Sequence, residues 1–92
     1  MNLNGVSSFT AVWYLSSDRF DLMAVDALDR EAVRECMVRL MYRFVGQRVS
    51  RGVLRLHYLA EERKVRFRAK TSGAEVEVEL KPEELCTEVN RE

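Results

Sequence analysis

Two runs of alternating charged and apolar residues, joined by Ser-Gly, constrain the fold of this chain more than any other feature of its sequence. They form the segment KVRFRAKTSGAEVEVEL, residues 64–80. A period of two is typical of half-buried β-strands. A two-residue turn at Ser72-Gly73 would pair each basic residue of the first run with an acidic one of the second: Lys70 with Glu75, Arg68 with Glu77, and Arg66 with Glu79. The sequence therefore predicts an antiparallel hairpin whose basic run is mostly neutralised by its neighbour.

A single long helix is predicted for residues 27–45. Its apolar residues recur at helical spacing: Val33, Met37, Leu40 and Phe44, with Cys36 and Met41 beside them. Asp26 or Asp29 can cap the first turn by accepting a backbone N–H. Gly46 follows the last apolar position and can take the left-handed conformation that ends a helix.

Further strands are expected around this helix. Residues 8–16, 53–60, 64–71 and 74–80 have strand patterns, whereas residues 20–25 fit either a hairpin strand or the start of the helix. Pro82 ends the last strand and begins a short C-terminal helix. The predicted fold is α+β, a single domain over residues 1–92. An antiparallel sheet of four to five strands, in the order β-(β)-α-β-β-β, carries the long helix on one face.

Residue patterns that carry catalysis or hold a cofactor were not found in this sequence. The lone histidine, His57, is predicted to be a surface residue, and a zinc site would need three or four ligands. The four glycines are scattered and form neither a P-loop nor a dinucleotide fingerprint. We therefore expect no enzyme, no metal, no cofactor and no small-molecule substrate.

Cysteine content and hydropathy favour a cytoplasmic protein. Cys36 and Cys86 form no CxxC pair, and two cysteines do not make a disulfide framework. Reduced thiols are the default expectation, with Cys36 as a small core residue of the helix. A Cys36–Cys86 bridge is the alternative, which the sequence leaves open without supporting it. The first nine residues lack the pattern of a targeting segment, and no apolar run is long enough to span a bilayer.

A cluster of arginines near the helix C-terminus is the candidate nucleic-acid site. It consists of Arg39, Arg43, Arg48 and Arg51, in a stretch without an acidic residue between Glu35 and Glu61. Such residues can contact phosphates and make binding depend on salt. Cations also favour a helix C-terminus without any ligand, and this explanation carries more weight. The formal net charge of zero weakens a nucleic-acid role.

An apolar surplus on the predicted sheet is the candidate protein interface. The residues expected on the outer face are Val12, Tyr14, Val53 and Leu59. The alternative is that the C-terminal segment covers them. Because a small chain with a thin core commonly gains stability by pairing, we favour a non-catalytic interaction domain. It would act as a homodimer or as a protein subunit of a larger complex, with an RNA- or DNA-binding subunit as the alternative.

The segment LSSDRF, residues 15–20, begins a resemblance to a known family. A first strand runs into a Ser-containing turn with Phe close behind, a helix ends at Gly46, and the strand pair VLRLHYLAEERKVRFRA follows. Over about residues 10–70 this order resembles the small α/β protein subunit of archaeal and eukaryotic ribonuclease P. The resemblance implies an RNA-scaffolding role together with a second protein subunit. That family is basic and continues into another helix, whereas this chain is neutral and continues into EVEVEL.

Overall fold

The computed structural model describes residues 3–85 and contains one five-stranded antiparallel sheet with one α-helix. In space the strands are ordered β2-β1-β3-β4-β5, so α1 carries the chain from β2 past β1 to β3. The elements are β1 Phe9–Tyr14, β2 Arg19–Ala24, α1 Arg30–Phe44, β3 Val53–Leu59, β4 Lys64–Lys70 and β5 Glu75–Leu80. The predicted α+β class, with the helix on one face of an antiparallel sheet, is confirmed.

Residues 20–25, whose sequence fitted either a hairpin strand or the start of the helix, fall largely within strand β2, which pairs with β1. Its turn is stabilised by Asp18, which has a positive φ of 55° and accepts a hydrogen bond from the Trp13 indole Nε1 at 3.0 Å. The Arg34 guanidinium of α1 donates to the same carboxylate oxygen at 3.1 Å and lies 4.7 Å from the Trp13 ring centroid. Phe20 meets the Trp13 ring edge-on, with centroids 6.1 Å apart. These contacts fix the β1–β2 hairpin against the helix.

Helix α1 begins later than predicted because Asp29, and not Asp26, caps it. The Asp29 carboxylate accepts from the backbone N–H groups of Glu31 and Ala32. Asp26 instead accepts from the backbone N–H of Ser7 at 2.6 Å. The other end is as expected: Gly46 has a φ of +91° and donates to carbonyls of the last turn.

The β4–β5 hairpin has the register that the charge alternation predicts. The Cα partners are Lys70 with Glu75, Arg68 with Glu77, and Arg66 with Glu79. The last two pairs are ion pairs, with N–O distances of 3.7 and 3.8 Å. All of these side chains are about half exposed, so each pair contributes about 0–1 kcal/mol. Their main effect is on register, since a slip by one residue would turn the charges into the core.

The core lies between α1 and one face of the sheet. Its largest fully buried side chains include Phe67, Met37, Met41, Leu54 and Leu56. Leu3 and Leu85, the first and last described residues, are both buried in this core. The short C-terminal helix is reduced to a 3₁₀ turn, Pro82–Glu84, and the predicted helix beyond residue 85 lies outside the described residues.

Cys36 is fully buried in the core, as predicted, but its thiol is not free. It is disulfide-bonded. The only other cysteine of the chain is Cys86, which lies outside the described residues. The expectation of reduced thiols is wrong for Cys36 in this structure.

Candidate interaction surface

One face of the sheet is turned away from α1 and is covered by no other element among residues 3–85; we call it the open face. Alternate residues of every strand lie on it, and the register aligns them in rows across the sheet. One such row consists of Arg19, Tyr14, Val53, Lys70 and Glu75. In this row the aromatic and apolar residues lie on β1 and β3, and the charged residues lie on β2, β4 and β5.

The predicted apolar interface is only partly assembled. Tyr14 and Val53 are cross-strand neighbours on the open face, and Tyr14 is 38% exposed. Val12 faces the same way but is buried to 8% exposure, because it lies in a row between the longer side chains of Asp21 and Arg55. Leu59 is half-buried at the opposite end of β3, opposite Lys64. The accessible apolar contact of this set is therefore the Tyr14–Val53 pair.

Tyr14 also contacts the charged edge of β2. The Arg19 guanidinium lies 5.7 Å from the Tyr14 ring centroid, in cation–π range. On the same strand Met23 projects from the open face and is 54% exposed. Sequence patterning did not single out Met23, because its strand was ambiguous. The open face thus offers two large exposed side chains, an aromatic ring and a thioether, that can be buried by a partner.

A strip of cations follows β3 and β4 across the open face. We call it the cationic strip, and it consists of Arg55, Lys64, Arg66, Arg68 and Lys70. The glutamates of β5 balance part of it: Glu79 is near Lys64 and Arg66, and Glu77 is near Arg68. None of the ion pairs formed among residues 3–85 includes Arg55 or Lys70. These two residues were not predicted as site residues. Extending the strand register from β4 to β3 would have found them.

His57 lies on the open face, half-buried between two strands. Its Nδ1 is 3.0 Å from the Thr10 hydroxyl oxygen, and its Cα partner on β4 is Arg66. The Thr10 contact orients the ring within the sheet surface. No group of three or more potential metal ligands occurs in the part of the chain that the structure describes.

The four arginines of the predicted nucleic-acid site are all exposed. Arg39 and Arg43 lie four residues apart on α1, on the side of the sheet opposite the open face. Arg48 and Arg51 lie in the segment between α1 and β3. The Arg43 guanidinium is 4.8 Å from the centroid of the Phe44 ring. Within residues 3–85 none of the four takes part in an ion pair, so their charges are available to solvent or to a ligand.

Comparison with known proteins gives no family for this chain. No protein-family model, no curated protein and no solved structure matches it. Among residues 3–85, no helix has the length and apolar character that crossing a membrane requires. The open face and the arginine cluster are therefore the two surfaces from which a function can be inferred.

Proposed function

We propose that the protein is a non-catalytic interaction domain, which acts as a homodimer or as a protein subunit of a larger complex. The observation that carries this proposal is the open face. It lacks a covering layer among residues 3–85, and it presents Tyr14, Met23 and an incompletely neutralised cationic strip. Large exposed side chains rimmed by charge are typical of surfaces that bind proteins.

The chain ends of the described structure support an uncovered open face. Leu3 and Leu85 are both buried in the core beneath α1. Neither of these two residues covers the open face. A partner that binds the open face would bury the exposed part of Tyr14, which supports assembly as the function of this surface.

The test is whether a charge at Tyr14 breaks the native assembly. The tagged chain is isolated under native conditions, and its mass is measured by size exclusion with light scattering. We expect wild type to exceed the chain mass of 10.7 kDa, and Tyr14→Glu to elute as a folded monomer. Tyr42→Glu is the matched control, because Tyr42 is 49% exposed on α1, away from the open face.

Two results would contradict the proposal. One is a wild-type chain that never exceeds the monomer mass. The other is an assembly that survives Tyr14→Glu, or that Tyr42→Glu disrupts to the same extent. Circular dichroism of each variant checks that the loss of mass does not come from unfolding.

An RNA- or DNA-binding subunit of a ribonucleoprotein remains the second candidate function. It is supported by the exposed Arg39 and Arg43, which join no ion pair within residues 3–85, with Arg48 and Arg51 following in the chain. The resemblance to the ribonuclease P subunit belongs with this candidate and stays a prediction. In the same sizing experiment it predicts raised absorbance at 260 nm. Salt would remove that signal, and an Arg39→Ala/Arg43→Ala double variant would lack it.

A cytoplasmic location is part of the proposal, and one observation weighs against it. Disulfides persist mainly in oxidising compartments, whereas cytosolic thiols are kept reduced. The disulfide at Cys36 fits an oxidising compartment better than the cytoplasm. Whether Cys36 is oxidised in the native protein is therefore the measurement that distinguishes these locations.

A further inference from the structure

Two arginines face each other directly across β3 and β4 on the open face. Arg55 and Arg68 are Cα partners, and Lys70 is the next outward-facing residue along β4. Like charges directly opposite each other in an antiparallel pair are destabilising. Arg68 has Glu77 at 3.7 Å, but Arg55 has no carboxylate partner among the described residues. The fold therefore maintains a concentration of positive charge here that the described side chains neutralise only in part.

These cations line a cleft of about 220 Å³, together with Val53 and Glu75. Pockets for drug-sized ligands measure about 300–1,000 Å³. The cleft is thus smaller than a typical metabolite pocket and is open to solvent, which suits a single side chain better than a whole small molecule. Val53 supplies an apolar wall, and its cross-strand neighbour Tyr14 extends that wall beyond the cleft.

We propose that this cleft binds a carboxylate side chain from an acidic segment of a protein partner. Arg55 and Arg68 donate charge-assisted hydrogen bonds to the carboxylate, and Lys70 adds a third positive charge. An apolar residue of the same segment packs on Tyr14 and Val53. This proposal rests on the proposed function, and it adds the chemistry of the partner.

An acidic protein segment fits the surroundings of the cleft better than a nucleic acid does. Glu75 lines the cleft, and Glu77 and Glu79 continue along β5 beside it. A nucleic-acid strand carries a negative charge at every phosphate, so a strand lying across the sheet would pass these glutamates. Peptide carboxylates are separated by uncharged atoms and can be placed on Arg55 while avoiding β5.

A second copy of the chain is a less suitable occupant. In a two-fold pair with its axis at the cleft, each copy would present Arg55 and Arg68 to the same residues of the other. The electrostatic repulsion between Arg55 and Arg68 would then be increased by the same two cations of the second copy. Self-association through this cleft is therefore an outcome that would overturn the proposal.

The experiment is an amide chemical-shift titration of ¹⁵N-labelled protein with synthetic peptides. The probe alternates glutamate and leucine, and the matched peptide has glutamine at each glutamate position. We expect the acidic peptide to shift the amides of Val53, Arg55 and Lys70, and the glutamine peptide to leave them unchanged. Arg55→Gln should weaken binding about tenfold, the effect of losing a charge-assisted hydrogen bond. Lys81→Gln is the control and should bind as wild type does, because Lys81 is exposed, follows the end of β5 remote from Glu75 and does not line the cleft.

The thermal midpoint of Arg55→Gln separates a binding role from a structural one. Removing one of two opposed cations should leave stability unchanged or raised, whereas loss of a structural contact would lower it. The proposal is overturned if the acidic peptide fails to shift these amides or if Arg55→Gln binds as wild type does. It is also overturned if an oligonucleotide of equal charge competes for the cleft more strongly, or if concentration alone shifts the same amides.

Failure of the acidic-segment proposal can be distinguished from failure of the proposed function as an interaction domain. If the peptide does not bind but Tyr14→Glu still breaks the native assembly, only the acidic-segment inference is lost. If Tyr14→Glu leaves the assembly intact, the proposed function itself is contradicted, whatever the peptide does.

Discussion

Replacing Gly52 with alanine tests how tightly the start of β3 is held between its neighbours. Gly52 has a φ of +122°, a conformation that residues with a side chain rarely adopt. A Cβ there would collide with the backbone oxygen of Lys70 and would lie 2.9 Å from the Cα of Thr71. Gly52 cannot simply move away, because its carbonyl accepts a hydrogen bond from the backbone N–H of Leu15 at 2.9 Å. Relief of the collision therefore displaces backbone on one side or the other.

We expect Gly52→Ala to lower the free energy of unfolding by about 2–5 kcal/mol. Conformational strain accounts for about 1–3 kcal/mol of this, and one or two backbone hydrogen bonds that give way add about 1 kcal/mol each. For a domain of this size each kcal/mol lowers Tm by about 4–8 °C, so the midpoint should fall by at least about 8 °C. Urea denaturation followed by Trp13 fluorescence, with thermal melts by circular dichroism, measures both quantities.

Two other glycines distinguish the contribution of backbone strain from that of the steric collision to this loss of stability. At Gly46, φ is +91° but no atom lies within 4 Å of an added Cβ, so Gly46→Ala carries backbone strain alone and should cost about 1–2 kcal/mol. At Gly73 nothing lies within 4 Å either, and φ lies outside the left-handed region, so Gly73→Ala should be nearly neutral. A Gly52→Ala variant no less stable than Gly46→Ala would refute the close approach of β3 to β4.

Two further predictions concern the β1–β2 turn and the core cysteine. Asp18→Ala should cost about 2–3 kcal/mol, since it leaves the buried Trp13 Nε1–H without its acceptor and places alanine at a positive φ. Asp18→Asn keeps an oxygen acceptor and tolerates that φ, so it should cost less than about 1 kcal/mol, and equal losses in the two variants would contradict this role. For Cys36, denatured but unreduced protein should resist alkylation by iodoacetamide, whereas prior reduction should permit it. Alkylation of Cys36 without reductant would show that the disulfide is absent from the native protein.

The features that could be predicted from sequence are local ones. The pairing of Arg68 with Glu77 follows from charge alternation on both sides of one short turn, and the structure has that register. The helix end at Gly46 likewise depends on one residue and its immediate neighbours. The helix start was misplaced because Asp26 and Asp29 both fit a cap, and the bond from Ser7 that occupies Asp26 comes from a segment 19 residues away.

The candidate surface was harder to predict because it depends on contacts between distant strands. Whether Val12 is accessible depends on its cross-strand neighbours Asp21 and Arg55, which the pattern of β1 alone does not contain. Leu59 shares a face with Val53, but they lie at opposite ends of the same strand. Arg55, which joins no ion pair among the described residues, can be recognised only when β3 is aligned with β4, since it is then opposite Arg68 and not opposite a carboxylate.

The most direct test of the open face as the binding surface is hydroxyl-radical footprinting of the unmodified chain, free and in its native assembly. Tyr14, Met23 and Tyr42 are all exposed in the free chain and react readily with radicals. We predict that Tyr14 and Met23 become protected in the assembly while Tyr42, on α1, stays as reactive as before. If Tyr14 and Met23 react equally in both states, or if Tyr42 is protected in their place, the open face is not the surface through which this protein binds.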